Sequence, residues 1–286
     1  MLLITAELTP SCRLVDEALA VARSAARAGG AVLAATDRTR IDVTLKDARV
    51  DMTTSADRAS QAAVVERIRA VFPEHIVIGE EGDLDGSDHE HVWFVDALDG
   101  TSNFAHGIPW YCVSVAMRCR ERGPDEMRRD EVVAGAVFDP VHDQLFAAGR
   151  GRGATVNGDR LRVADTAELH RAVVVSQVQT SDPERIAGFV AMFEALMNAA
   201  GGVRFPGAPA LILSHIAAGH FTAYVERAMP AWDISAGQLI LEEAGGRLTD
   251  FTGARIGSAD VADVIASNGP VHDALLAVVA ATAQAT

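Results

Sequence analysis

The sequence predicts an α+β fold, on three observations. Two helical patterns open the chain, a run of short β-like segments joined by turn signals follows, and the second half alternates strand and helix patterns. The first half is therefore expected to build a largely antiparallel sheet, and the second a sheet with helices on both faces. The division falls near residue 165, giving residues 1–165 and 166–286 as two closely joined halves with a cleft between them.

From Leu14 to Ala35 apolar residues recur at helical spacing in an alanine-rich background, and the pattern weakens at Gly29 and Gly30. The segment "TTSADRASQAAVVERIRAVFP" offers Thr and Ser as N-caps, then a helical stripe, then a stop at Pro73. Asp57 falls in the first turn of that helix, where a carboxylate suits the helix dipole. The runs "HIVIGEE", "HVWFVDA", "WYCVSVAMRC", "EVVAGAVFDP" and "DQLFAAGRG" read as strands, and Asn157-Gly158 marks a hairpin. "GRGRG", Gly149 to Gly153, lacks the spacing of a dinucleotide fingerprint and is expected to be a flexible turn. Beyond residue 165 come strand "RAVVVSQV", a helix from about Asp182 to Ala200, helix "APALILSHIAAG" and strand "FTAYVE". Helix "WDISAGQLILEEAGG", strands "RLTDF" and "DVIASN" and a last helix complete the pattern.

A chain of 286 residues can bury an ample core without disulfides, and its three scattered cysteines, Cys12, Cys112 and Cys119, fit reduced thiols in the cytoplasm. The N-terminus has no basic region before its few apolar residues, and no apolar run reaches the roughly 18 residues of a membrane span. A formal charge of −14 disfavours bulk binding to phosphate backbones, so neither nucleic acid nor membrane is an expected partner. Lys46 is the only lysine beside 24 arginines, which marks its position.

The chemistry gathers at element ends. Glu80 and Glu81 follow "HIVIG", Asp96 and Asp99 lie in "DALDGTSNF", and Asp57 and Asp233 open helical patterns. Burying several carboxylates together is costly unless cations neutralise them, and oxygen-only ligation points to a hard ion such as Mg²⁺. Gly100 and Thr101 can offer backbone N–H groups to a phosphate, and the Leu98 carbonyl a further ligand. The same loop also fits an ordinary turn. The spacing excludes an EF-hand, a D-x-D nucleophile and a nucleoside-triphosphate P-loop.

Together, "GEEG", "WFVDALDGTSNF" and "WDISAGQLILEEAGG" resemble the signature motifs of the inositol monophosphatase family of Mg²⁺-dependent phosphomonoesterases. The resemblance implies a layered αβαβα fold, a homodimer, and two or three Mg²⁺ ions per active site. It implies Glu80, Asp96, the Leu98 carbonyl, Asp99 and Asp233 as metal ligands, and Gly100 and Thr101 as phosphate donors. Asp57 and the Thr101 hydroxyl would be the catalytic couple that delivers water, while metal held by Asp96, Asp99 and Asp233 stabilises the departing alkoxide. Lys46 matches a mobile lysine near the metals, with an electrostatic role. Asp99, Gly207, Ala208 and Glu226 would contact substrate, with Glu226 accepting from polyol hydroxyls. Ala97, Ser235 and Pro230 depart from the usual pattern.

The implied reaction is hydrolysis of a small phosphorylated polyol, foremost inositol monophosphate. Histidinol phosphate, fructose 1,6-bisphosphate and 3'(2'),5'-bisphosphate nucleotides are alternatives; a bisphosphate would need extra cationic contacts, for which the substrate-side segments offer only Arg204 and Arg227. A regulatory protein that kept the fold without catalysis is the alternative of a different class.

Overall fold

The computed structural model describes residues 12–45, 52–80, 89–122, 128–256 and 261–283. Lys46 and Glu81 lie outside them. Five layers alternate as αβαβα. The first holds α1 (Cys12–Ala35) and α2 (Ser55–Arg69), both packed on a seven-stranded sheet. That sheet runs in sequence order through β3 (Ile76–Gly79), β4 (His91–Asp99), β5 (Cys112–Arg122), β6 (Arg128–Asp139), β7 (Gln144–Gly149), β8 (Gly153–Val156) and β9 (Asp159–Arg160). Only β3 and β4 pair in parallel; the rest are antiparallel neighbours.

The middle layer is α5 (Pro209–Ala217) and α6 (Ala231–Glu243), which share one large core with the inner face of this sheet. The second sheet follows, in the order β11 (Gly202–Arg204), β10 (Val173–Ser176), β12 (Ala223–Pro230), β14 (Val261–Ser267) and β13 (Arg247–Thr249). The last layer is α4 (Pro183–Ala199) and α7 (His272–Ala283), whose core unites Met192, Leu196, Leu275 and Val279 with β10, β12 and β14. Helices thus cover both faces of the second sheet, as the alternation of patterns implied. The short strand β11 falls where the sequence read as loop, and a hairpin of β1 (Val43–Leu45) and β2 (Met52–Thr54) was not anticipated. Three-residue strands carry too little alternation to be seen without their partners.

The helical pattern does not break at Gly29 and Gly30: α1 is continuous to Ala35. Both glycines are contact points. A Cβ on Gly29 would lie 2.7 Å from Ser60 Oγ and 2.8 Å from Val64 Cγ2, and one on Gly30 would lie 2.3 Å from the Phe138 ring. Gly29→Val is expected to destabilise the fold by about 1–3 kcal/mol through overpacking, read as a lower denaturant midpoint at unchanged slope. The buried neighbour matters to the site, because Ser60 Oγ donates to the Ala97 carbonyl at 2.7 Å.

Against the sequence expectation, Arg13–Ala35 is by length and composition apolar enough to cross a membrane. Its inward face, with Ala18, Ala22, Ala25 and Ala26 fully buried, packs on the seven-stranded sheet as a core helix. The "GRGRG" segment is the β7–β8 turn, but it is pinned rather than loose: Gly151 and Gly153 donate to Glu243, and Arg152 pairs with Asp16 on α1.

Candidate active site

Asp96 and Asp99 stand three residues apart, so in a regular strand they would point to opposite faces. The β4–β5 register shifts between them: Asp96 opposes Ser114 and Asp99 opposes Cys112, so three steps on β4 match two on β5. This bulge turns both carboxylates to one side and sends Ala97 and Leu98 together into the outer core. The Leu98 N–H donates to Asp96 Oδ1 at 3.0 Å, tightening the bend.

Gly100 ends the strand with φ +93°, a conformation that penalises any side chain, and a Cβ there would lie 3.1 Å from the Trp110 carbonyl. Immediately afterwards α3 (Thr101–His106) begins. The Thr101 hydroxyl lies 3.0 Å from Asp57 Oδ1 and 2.9 Å from the Leu98 carbonyl, and its single proton serves one of them at a time. Asp57 is itself held by a capping box on α2. Its Oδ2 accepts the Thr54 N–H at 2.8 Å and the Thr54 hydroxyl at 2.5 Å, while the Ala56 N–H donates to Thr54 Oγ1.

From the other half, α6 brings Asp233 in its first turn and α5 presents its N-terminus, where the Ala210 N–H donates to Asp99 Oδ2 at 2.8 Å. The loop before α5 is fastened to the first half. Asn103 donates to the carbonyls of Trp110 and Pro206, and the Trp110 indole donates to the Gly207 carbonyl at 2.8 Å. Gly207 (φ +81°) and Ala208 (φ +57°) thereby line the cavity beside Asp99. Glu226, on β12 just before a bulge, is buried; its carboxylate accepts from Tyr224, with Gln177 beside it on the cavity wall.

One cavity of about 790 Å³ gathers these groups: Glu80, Asp96, Asp99, Thr101, Glu226 and Asp233 all line it. Burial holds the carboxyls of Asp96, Asp99 and Asp233 well above their ordinary range, and the next influences are mutual. Glu80 and Asp233 act on Asp96, Asp96 on Asp99, and Asp99 and Glu80 on Asp233. Asp57 is raised by burial and held back by its Thr54 and Thr101 hydrogen bonds. Among the described residues no three potential ligands already enclose a common point. The side chains line the cavity wall, and their donor set, all oxygen with strong mutual repulsion, fits a hard divalent cation such as Mg²⁺.

Sequence reasoning missed three residues here. Cys112 is fully buried and its thiol donates to Asp99 Oδ2 at 3.5 Å; only the strand register brings it there. Gln177 and Arg185 line the far side near Glu226. The expected cations need correction. Arg204 does not line the cavity, its guanidinium turning to the Val203 carbonyl, whereas Arg227 does line it while also pairing with Asp263 and the Phe251 ring. Nothing in local sequence distinguished Arg185 from any polar residue on a surface helix.

Comparison with known proteins agrees with this geometry. The pattern of the inositol monophosphatase family matches residues 14–285. "Nus factor SuhB" of Pseudomonas aeruginosa is 36% identical over 260 residues, covering 89% of this chain and 92% of its own. "Fructose-1,6-bisphosphatase/inositol-1-monophosphatase" of Aquifex aeolicus is 36% identical over 261 residues, covering 91% and 94%. The solved inositol monophosphatase from Anabaena (Nostoc) sp. PCC 7120 superposes with a TM-score of 0.79 at 34% identity, covering 94% of this chain and 97% of that one. An IMPase/NADP phosphatase solved with Mg²⁺ and phosphate has a TM-score of 0.72 at 25% identity, covering 84% and 86%. With its αβαβα layers and its carboxylate-lined cavity between the two sheets, this chain belongs to the inositol monophosphatase family.

Proposed function

We propose that the protein is a Mg²⁺-dependent phosphomonoesterase acting on a small phosphorylated polyol, with inositol monophosphate as the leading substrate. The observation that carries this reading is the convergence of Glu80, Asp96, Asp99 and Asp233 on one cavity beside the Thr101–Asp57 pair. Those four carboxylates and the Leu98 carbonyl would hold the metal. Mg²⁺, when bound, supplies Lewis-acid charge neutralisation and a more acidic water.

The chain's own groups do the rest. Thr101 Oγ1, donating to Asp57 at 3.0 Å, keeps its lone pairs turned outward to accept from a water, and Asp57 takes up the proton through the pair. The backbone N–H groups of Gly100 and Thr101 receive the phosphate at the start of α3. Gly207 and Ala208, both at positive φ, bring bare backbone close to the leaving group. Glu226, held by Tyr224, orients a polyol hydroxyl. The halves 1–165 and 166–286 supply the reaction and the substrate contacts respectively, with Asp233 crossing between them.

A panel of phosphate-release rates tests the substrate. Inositol 1-phosphate is expected to exceed histidinol phosphate, fructose 1,6-bisphosphate and adenosine 3',5'-bisphosphate in kcat/KM. Glu226→Gln is expected to cut that preference by about 10-fold while leaving release from a plain alkyl phosphate near its normal rate. A preference for a bisphosphate would instead implicate Arg185 and Arg227, the two arginines on the cavity wall near Glu226.

A second reading rests on the name of the SuhB relatives, a Nus factor, and makes the protein a non-catalytic regulator. The complete carboxylate set and the seated Thr101–Asp57 pair favour hydrolysis. A protein that binds Mg²⁺ yet releases no phosphate from any member of the panel would reverse that choice.

A further inference from the structure

Two glutamates, Glu242 and Glu243, end α6, where the negative pole of the helix disfavours carboxylates. Their surroundings offset this. Glu243 uses both oxygens on the β7–β8 turn, Oε1 accepting the Gly151 N–H and Oε2 the Gly153 N–H, each at 2.8 Å. Both glycines hold positive φ, +73° and +75°, so the pair of N–H groups is presented by a backbone that side chains would strain. Glu242 accepts from Arg150 at 2.7 Å and from Gln238 at 3.1 Å. Arg150 in turn donates to the Val132 carbonyl of β6 at 3.1 Å, which bolts the helix end to the seven-stranded sheet.

The other end of the same helix carries Asp233 in its first turn, where it lines the cavity with Asp96 and Asp99 of β4. There Ser114 Oγ of β5 donates to the Trp232 carbonyl at 3.2 Å, and Ile234 and Ala236 are buried in the core shared with the sheet. Between the ends α6 lies flush on β6, since a Cβ on Gly135 would come within 3.0 Å of Ala236 Cα. A rigid helix gripped at its C-terminal end places its N-terminal carboxylate about 15 Å away by leverage.

We propose that Glu243 is a positioning residue for the metal site: clasped by the Gly151 and Gly153 amides, it sets the height of Asp233 over β4 and so the affinity for the divalent cation. This rests on the reading of Asp233 as a metal ligand. The turn joining β7 and β8, remote from the cavity, becomes a determinant of metal binding.

The experiment titrates Mg²⁺ into the metal-free full-length protein by calorimetry, with thermal unfolding measured in parallel. Glu243→Gln keeps the side-chain shape but puts an amide nitrogen against one of the two N–H groups. It is expected to weaken Mg²⁺ binding by about 10-fold or more, as loss of supporting contacts does at metal sites. Glu243→Ala should weaken it further; if that variant does not fold, the Gln variant decides alone. Arg152→Ala, which severs the 2.8 Å pair with Asp16 on α1 and leaves the Glu243 bonds in place, should lower the melting temperature with Mg²⁺ affinity unchanged. If Glu243→Gln lowers the melting temperature but binds Mg²⁺ as the parent does, the clasp is structural only and the proposal is overturned. A parent protein that binds Mg²⁺ but hydrolyses no ester would defeat the hydrolase reading alone, and the calorimetric comparison would still decide this one.

Discussion

Asp99→Asn is expected to lose at least about three orders of magnitude in Mg²⁺-dependent phosphate release, because charge neutralisation and positioning carry nearly all of such a reaction. The same variant should be more stable than the parent when metal is absent. Burial and the charge of Asp96 raise the Asp99 carboxyl well above its ordinary range. A carboxyl raised in this way contributes stability at low pH and loses it as pH climbs through its folded-state value, so at neutral pH it is a liability in the metal-free protein. An asparagine oxygen can still accept the Ala210 N–H that Asp99 now accepts at 2.8 Å, so the substitution removes repulsion with little loss of bonding. Thermal unfolding in chelator should therefore show a higher melting temperature for Asp99→Asn. Adding Mg²⁺ should raise the parent's melting temperature by linkage and the variant's much less. A variant that kept near-normal Mg²⁺-dependent turnover would remove Asp99 from the ligand set.

Thr101→Val is the second large effect. Valine keeps the shape and removes the hydroxyl that lies 3.0 Å from Asp57 Oδ1, so the water loses its path to the carboxylate. Turnover should fall by about 10²- to 10⁴-fold, the usual worth of a positioned proton acceptor, while calorimetric Mg²⁺ affinity stays near that of the parent. The split between turnover and metal binding is the diagnostic result, because a ligand mutant moves both. Asp57→Asn tests the same pair less cleanly. Asp57 Oδ2 also accepts the Thr54 N–H and hydroxyl, so an amide there weakens the cap of α2 at a cost of about 0.5–2 kcal/mol. Rate loss in Thr101→Val equal to loss of Mg²⁺ binding would place the hydroxyl among the ligands instead.

Much of the site was legible because its determinants are local. "DALDGTSNF" carries its carboxylates, its strand end and its left-handed glycine within nine residues, and "TTSADR" carries the capping box that holds Asp57. Patterns of this kind act over one strand end or one helical turn, a range at which sequence and geometry are nearly the same information. Gly29 and Gly30 show where that range ends. Locally they weaken a helix; in the fold they are where α1 meets Ser60, Val64 and Phe138.

The sequence by itself determined the order of the longer elements, the chemistry of the carboxylates and the family to which the motifs point. Tertiary structure alone decided that Asp96 and Asp99 face the same way, since the bulge exists only in the pairing of β4 with β5. It also decided that Cys112 stands against Asp99, that Arg185 rather than Arg204 reaches the cavity, and that Glu243 ties the far end of α6 to the "GRGRG" turn. The physical reason is common to all of these. A side chain's type is written at its own position, but its direction and its neighbours depend on strand register and layer packing between residues far apart in the chain.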